Sequence, residues 1–165
     1  MAVTYFVVVK RKSVAFWVSD GEDVTLPLRR HHKDIVFKVS GREFLNLNRA
    51  NVFVKNTGNT SIAGFKFDIE IPGTHQQYLA ELIVDDAALR NAINITWDEP
   101  PLTADPMFHI AVAPFFNKRE WFKVLVYSDG ETTKCKIHCR VEDVKQRSRA
   151  GHTYPSQILS GSTGK

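Results

Sequence analysis

The segment Cys-Lys-Ile-His-Cys at 135–139 contains the residue types that most often bind zinc. If it is a β-strand, Cys135 and Cys139 share one face but lie about 13 Å apart, at ~3.3 Å per residue, and His138 points to the opposite face. Zinc binds sulfur at about 2.3 Å, and a disulfide needs Cα atoms within about 7 Å. The spacing therefore predicts neither a metal site nor a disulfide, but two small inward-facing thiols in a reducing compartment.

Other residues that could bind a metal, bind phosphate or act in catalysis lack the neighbouring residues that these functions require. His31 and His32 are adjacent in a polar connection, and this favours a solvated loop over a chelating pair. The C-terminal Gly-Ser-Thr-Gly-Lys at 161–165 lacks the earlier glycine, the following Ser or Thr and the helix of a phosphate-binding loop. The patterns Gly-x-Ser-x-Gly and His-Glu-x-x-His do not occur. We expect no catalytic residues, no metal ligands and no cofactor, and therefore a protein that is not an enzyme.

A polar break, Asn56-Thr57-Gly58-Asn59, follows a strand-like segment and precedes the apolar Ile62. One interpretation is a corner where the chain crosses from one sheet to another. Gly58 allows a positive φ there, and the Asn side chains can bond to nearby backbone groups. The other interpretation is a ligand-binding loop at the end of a β-sandwich. We favour the corner, and keep Asn56, Thr57 and Asn59 as candidate binding residues.

A second polar break divides the aromatic segment at 115–122, Phe-Phe-Asn-Lys-Arg-Glu-Trp-Phe. Its rings and cations resemble the pattern with which sheets bind single-stranded nucleic acids. The alternative, which we favour, is a hairpin turn at 117–120 that leaves only one or two of the four rings exposed. Lys118 and Arg119, at the tip of the turn, are further candidate binding residues.

The net charge of +4 is concentrated at the C-terminus. Residues 145–165 contain Lys145, Arg147, Arg149 and Lys165 and no acidic side chain, so the preceding 144 residues hold 18 basic and 18 acidic side chains. The segment lacks periodicity and is rich in Ser, Gly and Thr, which predicts a flexible basic tail. Its clustered cations, Lys145, Arg147 and Arg149, are candidates for nucleic-acid binding.

The rest of the chain alternates between apolar and polar residues with the period of a β-strand, most clearly at 65–71, 93–97 and 134–141. Residues 121–127 are apolar on nearly both faces, which predicts a central strand. Asp129-Gly130 predicts a hairpin between the strands on either side of 128–134. The only helix predicted is short, at 85–92, with Asp85 or Asp86 as its cap. About nine strands and one helix predict an all-β antiparallel β-sandwich over 1–144, followed by the tail 145–165.

The pattern V-x-V-x-N-T-G-N-x-x-I at 52–62 resembles the strand-and-corner signature of immunoglobulin-like bacterial β-sandwiches, including those related to cell-adhesion domains. A fuller likeness covers residues 10–145, through segments such as "KRKSVAFWVSD", "FKFDIEIP" and "CRVEDV". This order is similar to an uncharacterised bacterial domain that usually follows an N-terminal membrane helix, a helix that we do not expect in this chain. The resemblance implies an immunoglobulin-like fold and an accessory module without known catalytic residues.

The N-terminus lacks the order of a signal peptide, and the longest apolar runs are far shorter than the ~20 residues of a membrane span. We therefore expect a cytoplasmic protein without a membrane span. The function predicted is a non-catalytic interaction or sensing module whose partner is another protein. The alternative is a nucleic-acid-binding accessory protein that acts through the basic tail.

Overall fold

The computed structural model describes residues 11–19, 21–30, 36–44, 46–73, 77–97, 105–129, 134–139, 141 and 145–150, with backbone alone at 28, 29 and 145–150. His31 and His32, the segment 1–10 and the segment 151–165 lie outside these residues. The described helices are α1 (Leu26–Arg29) and α2 (Ala87–Ala92). The described strands are β1 (Ser13–Val18), β2 (Glu22–Asp23), β3 (Phe37–Val39), β4 (Arg42–Phe44), β5 (Asn48–Asn56), β6 (Ile62–Glu70), β7 (Tyr78–Ile83), β8 (Ile93–Trp97), β9 (Met107–Phe116), β10 (Trp121–Ser128), β11 (Lys136–Cys139) and β12 (Lys145–Ala150).

These strands form two main sheets. The first sheet has the order β12-β1-β5-β10-β7, with β2 also paired to β5, and the second sheet has the order β11-β6-β9-β8. β3 and β4 form a separate hairpin. All described pairs are antiparallel except β1 with β12, which is parallel. The predicted all-β fold class is confirmed, and 121–127 lies in β10, an inner strand of the first sheet, as predicted. The described strands number twelve, more than the nine or so expected, because several contain only two to four residues.

The hydrophobic core lies between the two sheets and consists largely of interlocking aromatic rings. Phe16 of the first sheet contacts Phe67 of the second at a centroid distance of 5.3 Å. Phe116 of the second sheet contacts Phe122 of the first at 5.5 Å. The alternation at 65–71 places its four apolar side chains in this core, all at most 2 % exposed. Period-2 patterning therefore identified the inward face correctly.

The first six residues of the predicted flexible tail form a β-strand in the structure. Lys145–Ala150 pair in parallel with the whole of β1, from Ser13 opposite Lys145 to Val18 opposite Ala150. The first sheet therefore extends beyond the domain boundary expected at residue 144. A parallel edge strand was missed because its partner lies more than 120 positions earlier in the chain, and local composition carries no signal of such a pairing.

Two predicted hairpins are instead crossings between the sheets. The turn at 117–120 joins β9 of the second sheet to β10 of the first, and the segment 128–134 joins β10 to β11 of the second. Asn56-Thr57-Gly58-Asn59 connects β5 of the first sheet to β6 of the second, so the predicted corner is confirmed. A turn motif in the sequence identifies where a strand ends but does not identify the sheet that the next strand joins.

The two described helices are short. α2 begins as predicted, because the carboxylate of Asp86 accepts a hydrogen bond of 2.7 Å from the backbone N–H of Leu89. α1 was not predicted; the carboxylate of Asp23 accepts hydrogen bonds from the backbone N–H groups of Thr25 and Leu26 just before it. Four residues are too few to show helical periodicity. Neither described helix approaches the length needed to cross a bilayer.

Candidate binding face

The outer face of the first sheet presents a group of aromatic and basic side chains. The inward residues of β1, β5 and β10 belong to the core, so the alternate residues face away from it. On β1 the outward residue Trp17 lies opposite Phe53 of β5. On β10, Trp121 lies opposite Lys55, and Lys123 lies opposite Phe53. We refer to Trp17, Phe53, Lys55, Trp121 and Lys123 as the aromatic–basic face.

The three rings of the aromatic–basic face form a continuous row. Trp17 meets Phe53 edge-on, with centroids 5.2 Å apart and planes at 65°. Trp121 stacks on the other side of Phe53, also at 5.2 Å and with planes at 26°. Phe53 is only 5 % exposed between the two indoles, whereas both indoles are partly exposed. The surfaces available to a ligand are therefore those of Trp17 and Trp121.

The cations of the face alternate with its rings. Lys55 lies between Ala15 and Trp121 across the strands, and Lys123 lies beside Phe53. Both lysines are partly exposed, and no described carboxylate comes within ion-pair distance of either. The result is a surface in which flat apolar rings and positively charged side chains occupy neighbouring positions.

The backbone of the segment predicted as a basic tail borders this face. Within β12, Lys145, Arg147 and Arg149 occupy the positions in register with Ser13, Ala15 and Trp17 of β1. They therefore occupy the sheet edge next to the row of rings and do not belong to a separate segment. Three of the candidate binding residues found in the sequence are thus joined to the same sheet as the aromatic–basic face.

The polar side chains of the corner hold the chain together. Asn56 is 1 % exposed; its amide donates to the carbonyls of Phe116 and Thr60, at 2.9 and 3.1 Å, and its carbonyl accepts from the N–H of Gly58 at 2.9 Å. Thr57 donates its hydroxyl to Ser13. These contacts give Asn56 and Thr57 a structural role where two sheet crossings meet.

Asn59 and Gly58 fasten the corner to the start of β1. The side-chain oxygen of Asn59 accepts from the N–H of Arg11 at 2.6 Å. Gly58 was expected to supply a positive φ, but the described glycines with positive φ are Gly41, Gly64 and Gly73. Gly58 is required instead by close packing, because a Cβ there would lie 2.9 Å from the N of Ser13 and closer still to the carbonyl oxygen of Arg11.

Exposed cations gather around this corner. Arg119 donates its backbone N–H to the carbonyl of Asn56 at 3.2 Å, which places the β9–β10 turn beside the corner. The side chains of Lys118 and Arg119 are exposed there, as are those of Arg11 and Lys12 just before β1. We call Arg11, Lys12, Lys118 and Arg119 the basic end. It adjoins the aromatic–basic face, because Lys55 and Trp121 immediately flank the corner and the turn.

The aromatic segment at 115–122 divides between the two surfaces and the core. Phe116 and Phe122 are fully buried, Trp121 is partly exposed and Phe115 is 51 % exposed on the second sheet. This agrees with the expectation that only one or two of the four rings are exposed. Trp17, Phe53, Lys55 and Lys123 were not identified from the sequence, since the alternation shows which residues share a face but not which strands are neighbours.

The outer face of the second sheet has a different chemistry, with two histidines held by carboxylates. His138 Nε2 lies 2.7 Å from one oxygen of Glu70, whose other oxygen lies 2.7 Å from Lys136 Nζ. On the adjacent strands, His109 Nδ1 lies 2.8 Å from Asp68 Oδ1. The hydrogen bonds from Lys136 and His138 hold the pKa of Glu70 below its usual range, although burial opposes them. The carboxylates orient both imidazoles, and among the described residues no group of three or more potential ligands could hold a metal ion.

Cys135 and Cys139 point inward on the second sheet, as predicted, where they are partly buried against the core. Both are free thiols. Burial raises the pKa of Cys135 to about 12 and also raises the pKa of Cys139. The same sequence alternation places His138 on the opposite, solvent-facing side of the strand.

The raised pKa predicts that a thiol reagent modifies Cys135 of the folded chain very slowly at pH 8. Only about one thiol in 10⁴ is then ionised, and the thiolate is the reactive form. Raising the pH increases the thiolate fraction, so the rate should rise about tenfold per pH unit up to the raised pKa, whereas an ordinary thiol levels off above about pH 8.5. The test is a labelling time course with mass spectrometry to locate the label. The chain unfolded in guanidinium is the control, in which both cysteines should react quickly; rapid labelling of Cys135 in the folded chain would contradict the prediction.

Comparison with protein-family models gives no match to the chain, and comparison with curated proteins finds no matching sequence. The side chains described above are therefore the basis on which a function can be proposed.

Proposed function

We propose that this protein is a non-catalytic binding module whose recognition surface is the aromatic–basic face. The main support is the row Trp17–Phe53–Trp121 with two lysines set among its rings, neither of which forms an ion pair with a carboxylate of the described residues. Aromatic side chains contribute large contact areas with little loss of conformational entropy, and Trp is enriched among the residues that dominate binding energies. We further propose that the chain is an immunoglobulin-like bacterial domain, as the sequence resemblance implies, and that it works in the cytoplasm.

The positions of the polar groups favour binding over catalysis at this face. Among the described residues the imidazoles, those of His109 and His138, lie on the outer face of the other sheet, and each is already bonded to a carboxylate. The aromatic–basic face instead combines rings with lysines. Such groups recognise a ligand by stacking and charge, and they need no bond-making step.

Reversing the two lysine charges should abolish binding of the physiological partner. We expect the double variant K55E/K123E, immobilised and exposed to an extract of the source organism, to lose the macromolecule that the unchanged protein retains, because the charge of the face changes by four units. The bound material is identified by mass spectrometry and by nuclease digestion. Thermal unfolding first establishes that the variant is folded.

The matched control is K66E/K134E, which makes the same change in charge at two exposed lysines outside the aromatic–basic face. The control should retain the partner. If both double variants retain it equally, the aromatic–basic face is not the recognition surface.

A further inference from the structure

We infer that the ligand of the aromatic–basic face is a single-stranded nucleic acid, an inference that rests on the binding function proposed above. Two partly exposed indoles lie on one sheet face on either side of the buried Phe53, which keeps them apart. Each indole centroid lies 5.2 Å from the centroid of Phe53, so the two indoles are at most about 10 Å apart. Each indole can stack with one base, so the face accommodates two bases of one strand.

The charges identify the remainder of the ligand as anionic. Lys55 and Lys123 lie beside the rings, where phosphates that flank stacked bases would be. The basic end continues this charge beyond the edge of the sheet through four exposed cations. β12 adds Arg147 and Arg149 at positions in register with Ala15 and Trp17. A neutral polysaccharide could stack on the indoles but would not use these cations.

The rings also distinguish a single strand from a duplex. In a duplex the faces of the bases are covered by their neighbours, and only the edges remain accessible in the grooves. Stacking on Trp17 and Trp121 requires unstacked bases, which a single strand provides. The carboxylate side chains of an acidic peptide would satisfy the lysines and arginines but carry no ring to stack on two indoles. The combination therefore favours single-stranded DNA or RNA over a duplex or an acidic peptide.

The nucleic-acid alternative drawn from the sequence relied on the tail, whereas the structure offers aromatic rings as well. The tail alone offered three clustered cations and no surface for the bases. The structure places those three positions on a strand of the sheet that carries Trp17. Binding should then depend on the rings as well as on charge, and this dependence can be measured.

The test uses the full chain with a fluorescein-labelled 15-nucleotide single-stranded DNA of mixed sequence, the matching RNA, and the DNA duplex. Binding is followed by fluorescence anisotropy from about 50 to 200 mM salt. We expect the single strands to bind at least about tenfold more tightly than the duplex. The logarithm of the association constant should fall linearly with that of the salt concentration, with a slope of about −0.7 per phosphate contact. Trp17→Ala and Trp121→Ala should each weaken binding about tenfold.

Two variants separate stacking from general effects. Phe115→Ala removes an exposed ring on the second sheet and should leave binding unchanged. K55E/K123E keeps all rings, changes only partly exposed positions and should reduce both the affinity and the salt slope. If either tryptophan variant fails to fold, the K55E/K123E variant still tests whether binding depends on this face.

Three results would overturn the inference. The first is equal affinity for the duplex and the single strands. The second is binding that the tryptophan and lysine variants leave unchanged. The third combines two observations. The unchanged protein binds no oligonucleotide, and the K55E/K123E variant no longer retains a partner protein or a polysaccharide that the unchanged protein captures from the extract. In that last case the binding face stands but its ligand is of another class. If K55E/K123E loses nothing in either assay, the proposed function fails as well.

Discussion

Replacing Phe65 by alanine should lower the free energy of unfolding by about 3–5 kcal/mol, the range typical of a buried Phe→Ala change. Phe65 is fully buried, and its ring contacts Phe116 at 5.2 Å, Phe67 at 5.5 Å and Phe16 at 6.4 Å. Phe16 belongs to the first sheet, so the ring also fills space between the sheets. Its removal leaves a cavity that neighbouring rings, fixed by their own contacts, can close only in part.

Denaturant unfolding, followed by circular dichroism, measures this effect as a shift of the midpoint. The matched control is Phe115→Ala, which removes the same side chain from a strand position that is 51 % exposed. The control should change stability by no more than about 1 kcal/mol, because about half of its surface is already in contact with water. Equal losses for the two variants would show that Phe65 is not part of the core.

Replacing Asn56 by leucine should cost about 2–4 kcal/mol, because the corner loses all three hydrogen bonds of a buried amide. The leucine cannot donate to the carbonyls of Phe116 and Thr60 or accept from the N–H of Gly58. A buried polar group left without a partner costs about 1–3 kcal/mol. The N–H of Gly58 keeps a second acceptor in the carbonyl of Ser13, so the carbonyls account for most of the loss.

The matched control for this variant is Asn94→Leu, the same exchange at an exposed position of β8. Surface substitutions of this kind change stability by about 0.5 kcal/mol or less. Both variants are measured by thermal and denaturant unfolding. Equal stability of the Asn56→Leu variant and the unchanged protein would mean that water satisfies the corner equally well.

The corner also bears on the binding face. The backbone N–H of Asn56 donates to the carbonyl of Glu120, and the N–H of Arg119 donates to the carbonyl of Asn56. These bonds join the end of β5 to the start of β10, and the adjacent residues in the two strands are Lys55 and Trp121. The backbone bonds of Asn56 therefore stabilise the part of the sheet that carries a lysine and an indole of the face.

The sequence by itself determined the features that depend on near neighbours along the chain. Alternation at 65–71 and 134–141 identified the inward residues, including both cysteines, because successive side chains of a strand point to opposite faces. Asp86 identified the start of α2, because a capping carboxylate acts within three residues. The polar break at 56–59 identified the corner between the sheets. Each of these features follows from local geometry.

Only the tertiary structure decided which strands are neighbours. The order of the strands in turn determines which side chains form the aromatic–basic face. Trp17, Phe53 and Trp121 come from three separate strands and become a row only because β5 lies between β1 and β10. The same holds for β12, whose predicted flexible segment joins the sheet beside β1. Pairing between strands far apart in the chain depends on the burial of the whole core and on the connections that cross between sheets. Neither leaves a signal in the residues around a single strand, so the sequence showed the rings and cations without showing that they meet.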